Sequence, residues 1–448
     1  MNGDLSAEEA CRVALERLEA ENPRIGAVVA WDGERALAEA RERDGLPHVW
    51  RGPLHGVPFT AKDLNDAAPY PTTYGSRAFS GADGERRVPT TDAACIGRLR
   101  RAGAVLIGKT NTPEMGLRPT TENLLFGTTR NPHDTSRTPG GSSGGAAAAL
   151  AAGIGTLAQG SDGGGSIRIP AACCGVVGHK PTRGLVSSAP ASYGGWEGFA
   201  TNGPMARSVA DCALMLEVMA GPEPGDIFAP PPHDGAFSAA CAEDPAALAI
   251  GVLRDPPTGV LDDEVGALFD AALEVLAHMG HGVEPAEAPL AALMEPFHTI
   301  VLGQTAALRE MLSPERYALL EPTTRSAVTD GERIGVGEYV QAVAAARRGA
   351  AAVLEALAPY ELVVCPVLTR PAVPLDEFQL AAPRRELWRE YYEWHSYTVP
   401  FNVTGQPALS LPIGTTEGGL PVALQIVGAP GADALVLALG AALERALA

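Results

Sequence analysis

Glycine and serine are concentrated between residues 139 and 166, where the chain reads PGGSSGGAAAALAAGIGTLAQGSDGGGS. Two runs stand out. Gly140-Gly141-Ser142-Ser143-Gly144-Gly145 precedes an alanine-rich stretch, and Gly163-Gly164-Gly165-Ser166 follows an apolar one. Three kinds of role fit such runs. Glycine-rich turns ahead of a helix can cradle phosphate with backbone N–H groups. Neither run, however, has the Gly-Lys-Ser/Thr of a P-loop or the spacing of a dinucleotide fingerprint. Polyglycine with serine can also be a plain flexible loop, although both runs sit inside alternating apolar structure. The third role is acyl transfer. Three glycines before Ser166 let successive N–H groups converge without Cβ obstruction. That is what an oxyanion hole requires, and loss of one such donor typically costs about 10²–10³ in rate. A serine at the end of the run reaches the same reacting carbon.

A serine hydroxyl is a weak nucleophile and needs a base. The nine histidines offer no evident one: His55 and His179 lie near relevant segments, but no Ser-His-Asp set emerges. There is no Gly-x-Ser-x-Gly elbow either. Lysine is more informative, because only three are present, Lys62, Lys109 and Lys180, all in or beside apolar β-like stretches. Burial disfavours the charged ammonium and lowers its pKa, so a buried lysine can act as a general base near neutral pH. A serine–lysine arrangement is the hypothesis these residues favour.

The elements that must position these groups alternate. Ser6 and Glu9 have capping-box spacing and open an amphipathic helix, which Pro23 is expected to end. Strands are expected at 26–31, 57–62, 104–110, 156–162, 248–255, 362–367, 408–414 and 420–429. Helices are expected at 91–102, 144–153, 208–221 and 261–280, with another closing the chain. Residues 221–236 are rich in Pro and Gly and read as a surface connection. The pattern predicts an α/β fold, a large mixed sheet covered by helices on both sides. Length alone suggests about three domains. We read instead one catalytic unit over 1–448, with a helix-rich subregion at about 225–360.

Composition narrows the function. Among 448 residues, 34 Lys and Arg stand against 53 Asp and Glu, a net charge of −19. Such a surface repels phosphate backbones and anionic lipids, so neither a nucleic acid nor a membrane is the expected partner. An apolar fraction of 46% argues against wholesale disorder. Seven scattered cysteines show no Cys-x-x-Cys and no zinc-ligand spacing. They read as buried thiols in a reducing compartment, hence a cytoplasmic protein with no metal and no cofactor. The acidic N-terminus does not read as a signal peptide, and no apolar run reaches about 18 residues.

These segments resemble the amidase signature enzymes. GGSSGG at 140–145 and GSDGGGSIRIPAACCGVVGHKPTRG at 160–184 look like the halves of that family's signature, and LHGVPFTAKDL at 54–64 looks like its lysine motif. GKTNTPEM (108–115), FGTTRNP (126–132), GPMARSVADCALML (203–216), FNVTGQPALSLPIG (401–414) and GLPVALQIVG (419–428) are family-like as well. The loop is most similar to that of bacterial oligoamide hydrolases, the type that opens the 6-aminohexanoate cyclic dimer.

The resemblance implies a hydrolase that cleaves small-molecule amides through a Ser-cisSer-Lys triad and an acyl-enzyme, with esters or carbamates as further substrates. Ser166 is then the nucleophile, Ser142 the bridging serine after a cis bond, and Lys62 the base. The N–H groups of Gly163, Gly164, Gly165 and Ser166 form the oxyanion hole. Asp162 and Arg168 hold the loop, and Ser143 supports Ser142 and Lys62. Two positions depart from the family pattern. Ser161 replaces Thr, and Gly163 stands where a larger residue is common, which implies a roomier loop; His179 replaces Leu. Tyr193, Trp196 and Phe199 are candidate pocket aromatics, with Trp394, His395 and Tyr397 as a second set. The protein is expected to be a monomer or homodimer. A glutaminase subunit of a tRNA-dependent amidotransferase is the rival within the family. A non-catalytic binding protein on the same fold is the rival outside it.

Overall fold

The computed structural model describes residues 5–80, 87–190, 195–228, 237–378, 380 and 384–448. Eleven strands form its central sheet: β1 (Val28–Ala30), β2 (Pro58–Lys62), β3 (Val105–Thr110), β4 (Leu157–Asp162), β5 (Val177–Lys180), β6 (Thr201–Ala206), β7 (Ala249–Val252), β8 (Gly282–Pro285), β9 (Leu362–Pro366), β10 (Ala408–Thr415) and β11 (Pro421–Gly428). They lie side by side in the order β1-β3-β2-β4-β6-β5-β10-β11-β9-β7-β8. β2 is parallel to both β3 and β4, β7 is parallel to β8 and β9, and the remaining pairs are antiparallel.

Alternate residues of one strand enter different cores. Leu106 packs with the helices at Ala94–Arg101, Val209–Met219 and Asp433–Leu447, whereas its neighbours Val105 and Ile107 pack with those at Ala7–Ile25 and Gly144–Ala151. Both faces of the sheet are therefore covered, which is why these strands read as continuous apolar runs. The fold is the α/β arrangement expected from the sequence. A third core underlies the helix-rich stretch, where Phe297, Ile300 and Val301 of the helix Met294–Thr305 meet Val353 and Leu357 of the helix Val336–Leu357.

Two local differences have physical reasons. The first helix has the expected capping box but runs through Pro23 to Ile25, where Gly26 caps it in a left-handed conformation. A proline so near the end removes little of the hydrogen-bond ladder. β5 and β6 are masked in the sequence by turn-like residues. Pro204 and Gly203 sit in mid-strand, with Pro204 opposite Gln159 of β4. Gly203 is needed there, because a Cβ would come 2.4 Å from the His179 carbonyl oxygen. Among the described residues, no helix is long and apolar enough to cross a membrane.

Candidate active site

Parallel pairing makes β2 and β4 finish together. Phe59 to Ala61 lie opposite Leu157 to Gln159, so Lys62 ends one strand beside Ser161 and Asp162 at the end of the other. The carboxyl ends of adjacent parallel strands are where α/β folds open a crevice. Lys62 is fully buried. Its Nζ lies 2.7 Å from Ser142 Oγ, 3.0 Å from Ser161 Oγ and 3.3 Å from the Ser161 carbonyl oxygen. Burial pulls its ammonium down to about 7, against the opposing field of Asp162.

Ser142 follows a cis Gly141–Ser142 peptide. The next residue ties the two glycine runs together: Ser143 N–H donates to the Ser166 carbonyl at 3.0 Å, and Ser143 Oγ donates to the Ser161 carbonyl at 3.2 Å. Ser143 therefore reaches Lys62 through Ser161 rather than directly. The following helix is built from small residues, with Ala146 to Ala149 wholly buried, so it can press closely against the sheet. Ser142, Ser161, Gly163 and Ser166 line one cavity of about 330 Å³, together with apolar Leu64, Met115 and Trp196.

Asp162 and Arg168 fix the loop between β4 and the helix Arg168–Cys174. Both are wholly buried and form a two-pronged ion pair, Nε to Oδ2 and Nη2 to Oδ1, each 2.9 Å. Burial alone would raise the Asp162 carboxyl, but the guanidinium and the Asn402 amide hold it far below the usual carboxylate range. Arg168 also donates to Gln425 Oε1 at 2.6 Å, Asn402 Oδ1 at 2.6 Å and the Thr398 carbonyl at 2.9 Å. Asp162 Oδ1 accepts the Gly165 N–H at 2.8 Å. This corrects the expected oxyanion donors, because the Gly165 N–H is turned to the carboxylate. Among the described residues, the N–H groups of Gly163, Gly164 and Ser166 have no protein acceptor.

Each glycine of the loop has its own neighbour. A Cβ at Gly163 would lie 2.4 Å from Trp196 Cζ3, one at Gly164 3.1 Å from Phe297 Cζ, and one at Gly165 2.4 Å from Thr398 Oγ1. The expectation of a roomier loop at Gly163 is thus corrected, since the indole of Trp196 fills the space.

The three lysines have different surroundings. Lys109 Nζ pairs with Asp63 at 3.2 Å and donates to the Asn65 carbonyl at 2.8 Å, a buried cation that ties the turn after β2. Lys180 Nζ donates to the Pro181 carbonyl at 3.0 Å, and burial followed by the Arg168 charge draws it down to about 7. Neither lines the cavity. His179 bonds Asp433 at 2.9 Å and so ties β5 to the last helix.

Trp196 lines the cavity, whereas Phe199 stands behind it, stacked on Phe297 at 6.0 Å. Tyr193 lies outside the described residues. Trp394, His395 and Tyr397 are buried off the cavity, with Trp394 Nε1 on the Arg370 carbonyl and Tyr397 OH on the Arg254 carbonyl. Sequence reasoning overlooked Ser161 as a lysine partner and Asn402 as a loop tie. Ser161 carried a usable signal, a hydroxyl next to Asp162 at a strand end. Asn402 lies 240 residues from Asp162, and no local pattern marks it. Among the described residues, no cluster of His, Cys, Asp or Glu is arranged to hold a metal ion.

Comparison with known proteins shows the family. The Amidase family model matches residues 9–437. The chain is 37% identical over 475 aligned residues to 6-aminohexanoate-cyclic-dimer hydrolase of Paenarthrobacter ureafaciens, covering all of this chain and 92% of that one. It is 36% identical to a glutamyl-tRNA(Gln) amidotransferase subunit of Nitratidesulfovibrio vulgaris, covering 99% and 94%. The solved structure of a 6-aminohexanoate cyclic dimer hydrolase with its substrate superposes with a TM-score of 0.91 at 34% identity, covering 99% and 94%. The chain is an α/β amide-hydrolysing enzyme. It belongs to the amidase signature family.

Proposed function

We propose that the chain hydrolyses carboxamides with apolar substituents through Ser166, Ser142 and Lys62, within one catalytic unit. Neutral Lys62 takes the Ser142 proton while Ser142 takes that of Ser166. The Ser166 oxygen then bonds to the amide carbon, and the N–H groups of Gly163, Gly164 and Ser166 hold the resulting oxyanion. The proton returns to the leaving nitrogen, the C–N bond breaks and the amine departs. Water repeats the sequence on the acyl-enzyme and frees the acid. The observation that carries this reading is the buried Lys62 Nζ, 2.7 Å from Ser142 Oγ on the wall of the cavity that Ser166 shares.

The cavity walls at Leu64, Met115, Val186 and Trp196 favour apolar groups on either side of the amide. The cyclic-dimer hydrolases among its relatives point to linear or cyclic oligoamides as the first substrates to try. We place the enzyme in a reducing cytoplasm, without cofactor or metal, as a monomer or homodimer. Seven buried, unpaired cysteines support that compartment. The deciding experiment is a hydrolysis screen across anilides, aliphatic amides, oligoamides, esters, carbamates and glutamine, with Ser166→Ala as the blank. Amide turnover in the wild type and none in the variant is expected. Equal turnover in both would remove Ser166 from the mechanism. Glutamine cleavage stimulated by a co-purifying partner protein would favour an amidotransferase role.

A further inference from the structure

Gly163 opens the loop that leads to Ser166, and its φ is ordinary for an L-residue, so its backbone does not demand glycine. What excludes a side chain is Trp196. A Cβ at position 163 would lie 2.4 Å from Cζ3 and 2.7 Å from Cε3 of the indole, while the next atom, Ala200 Cβ, is at 3.4 Å. Gly163 and Trp196 both line the catalytic cavity. The wall beside the nucleophile is therefore supplied by a side chain from a distant turn.

That turn is held against its own preference. Trp196 and Glu197 have φ of 51° and 57°, a left-handed conformation unusual for bulky residues. The hydrogen bonds that keep it there come from the helix-rich region. Gln304 Oε1 accepts the Trp196 N–H at 3.0 Å, Tyr339 OH donates to Glu197 Oε1 at 2.7 Å, and Gln304 Nε2 donates to Tyr339 OH at 3.0 Å. Phe297 meets the indole edge to face, with ring centroids 6.2 Å apart. A strained conformation fixed by several groups at a functional cavity is what a shaped specificity wall requires.

We propose that Trp196 is the specificity-determining residue of the cavity. Its indole, seated on Gly163, limits one side of the scissile carbonyl to slender, unbranched or flat substituents. This assignment rests on the amide-hydrolase reading above.

The test uses matched amides, straight-chain and α-branched, varied once on the acyl side and once on the amine side. In Trp196→Ala, the preference for branched over straight substrate, read as the ratio of kcat/KM values, rises at least about tenfold in one of the two series, as expected when a few methylenes of space open. Gly163→Ala loses turnover and thermal stability because the indole must move. Adding Trp196→Ala to it recovers both, since the clash is gone. An unmoved ratio in both series, or Gly163→Ala losses that simply add to those of Trp196→Ala, overturns the assignment. A wild type that cleaves no amide overturns the hydrolase reading and this assignment with it. A wild type that cleaves amides with an unmoved ratio overturns this assignment alone.

Discussion

In the proposed mechanism, Lys62 must shed its own proton before it can take one from Ser142. With burial drawing it to about 7, the base is protonated and idle at acid pH and free above neutrality. The expected kcat/KM profile is a rise with pH through one apparent pKa near 7, levelling above it; a flat profile from about pH 5 to 9 would contradict the lysine base. Lys62→Met retains the volume but removes the base, and a loss of at least about 10²–10⁴ in kcat is expected. The scarcity of lysine drew attention to all three in the sequence, but it could not rank them. Lys109 faces a carboxylate and Lys180 a carbonyl, and among the described residues only Lys62 reaches a serine. That difference is one of side-chain direction at three strand positions, and in the sequence only the motif resemblance at 54–64 separates Lys62 from the other two.

At the level of elements, the Asp162–Arg168 pair turns the loop after β4 into a fixed device. Arg168→Met leaves a buried carboxylate without its partner, which typically costs about 3–5 kcal/mol. Urea denaturation should show a loss of that size. A second tie joins β5 to the last helix, where Asp433 accepts from His179 at 2.9 Å and from the Thr182 N–H at 3.0 Å. Asp433→Ala is expected to lower stability by about 1–3 kcal/mol, measured by thermal unfolding, while turnover at lower temperature survives. His179 looked like a departure near the signature loop. It serves packing between elements instead, its partner lying 254 residues away.

Across the whole molecule, apolar helices cover both faces of the sheet, and all seven cysteines are buried free thiols. Burial also pushes several of these thiols up, Cys95 to about 12 and Cys11 to about 11, chiefly by desolvation. A colorimetric disulfide reagent should therefore label essentially none of them in the native enzyme and all seven after denaturation. Rapid labelling of the folded protein would show that the packing is looser than described.

The alternation of elements, the covered α/β sheet, the two glycine–serine runs and the short list of lysines are legible in the chain. These are set by local pattern: apolar runs, glycine spacing and capping residues act over a few positions. How these pieces meet depends on folding in three dimensions. Folding placed Lys62 against Ser142 across 80 residues, turned the Gly165 N–H toward Asp162, and filled the space beside Gly163 with Trp196. It also formed β6 through Asn202-Gly203-Pro204, which reads locally as a turn. There the packing of β6 between β4 and β5 outweighs the local preference. The separation is physical: propensity and patterning act between neighbours in the chain, whereas burial, charge pairing and steric exclusion act between neighbours in space.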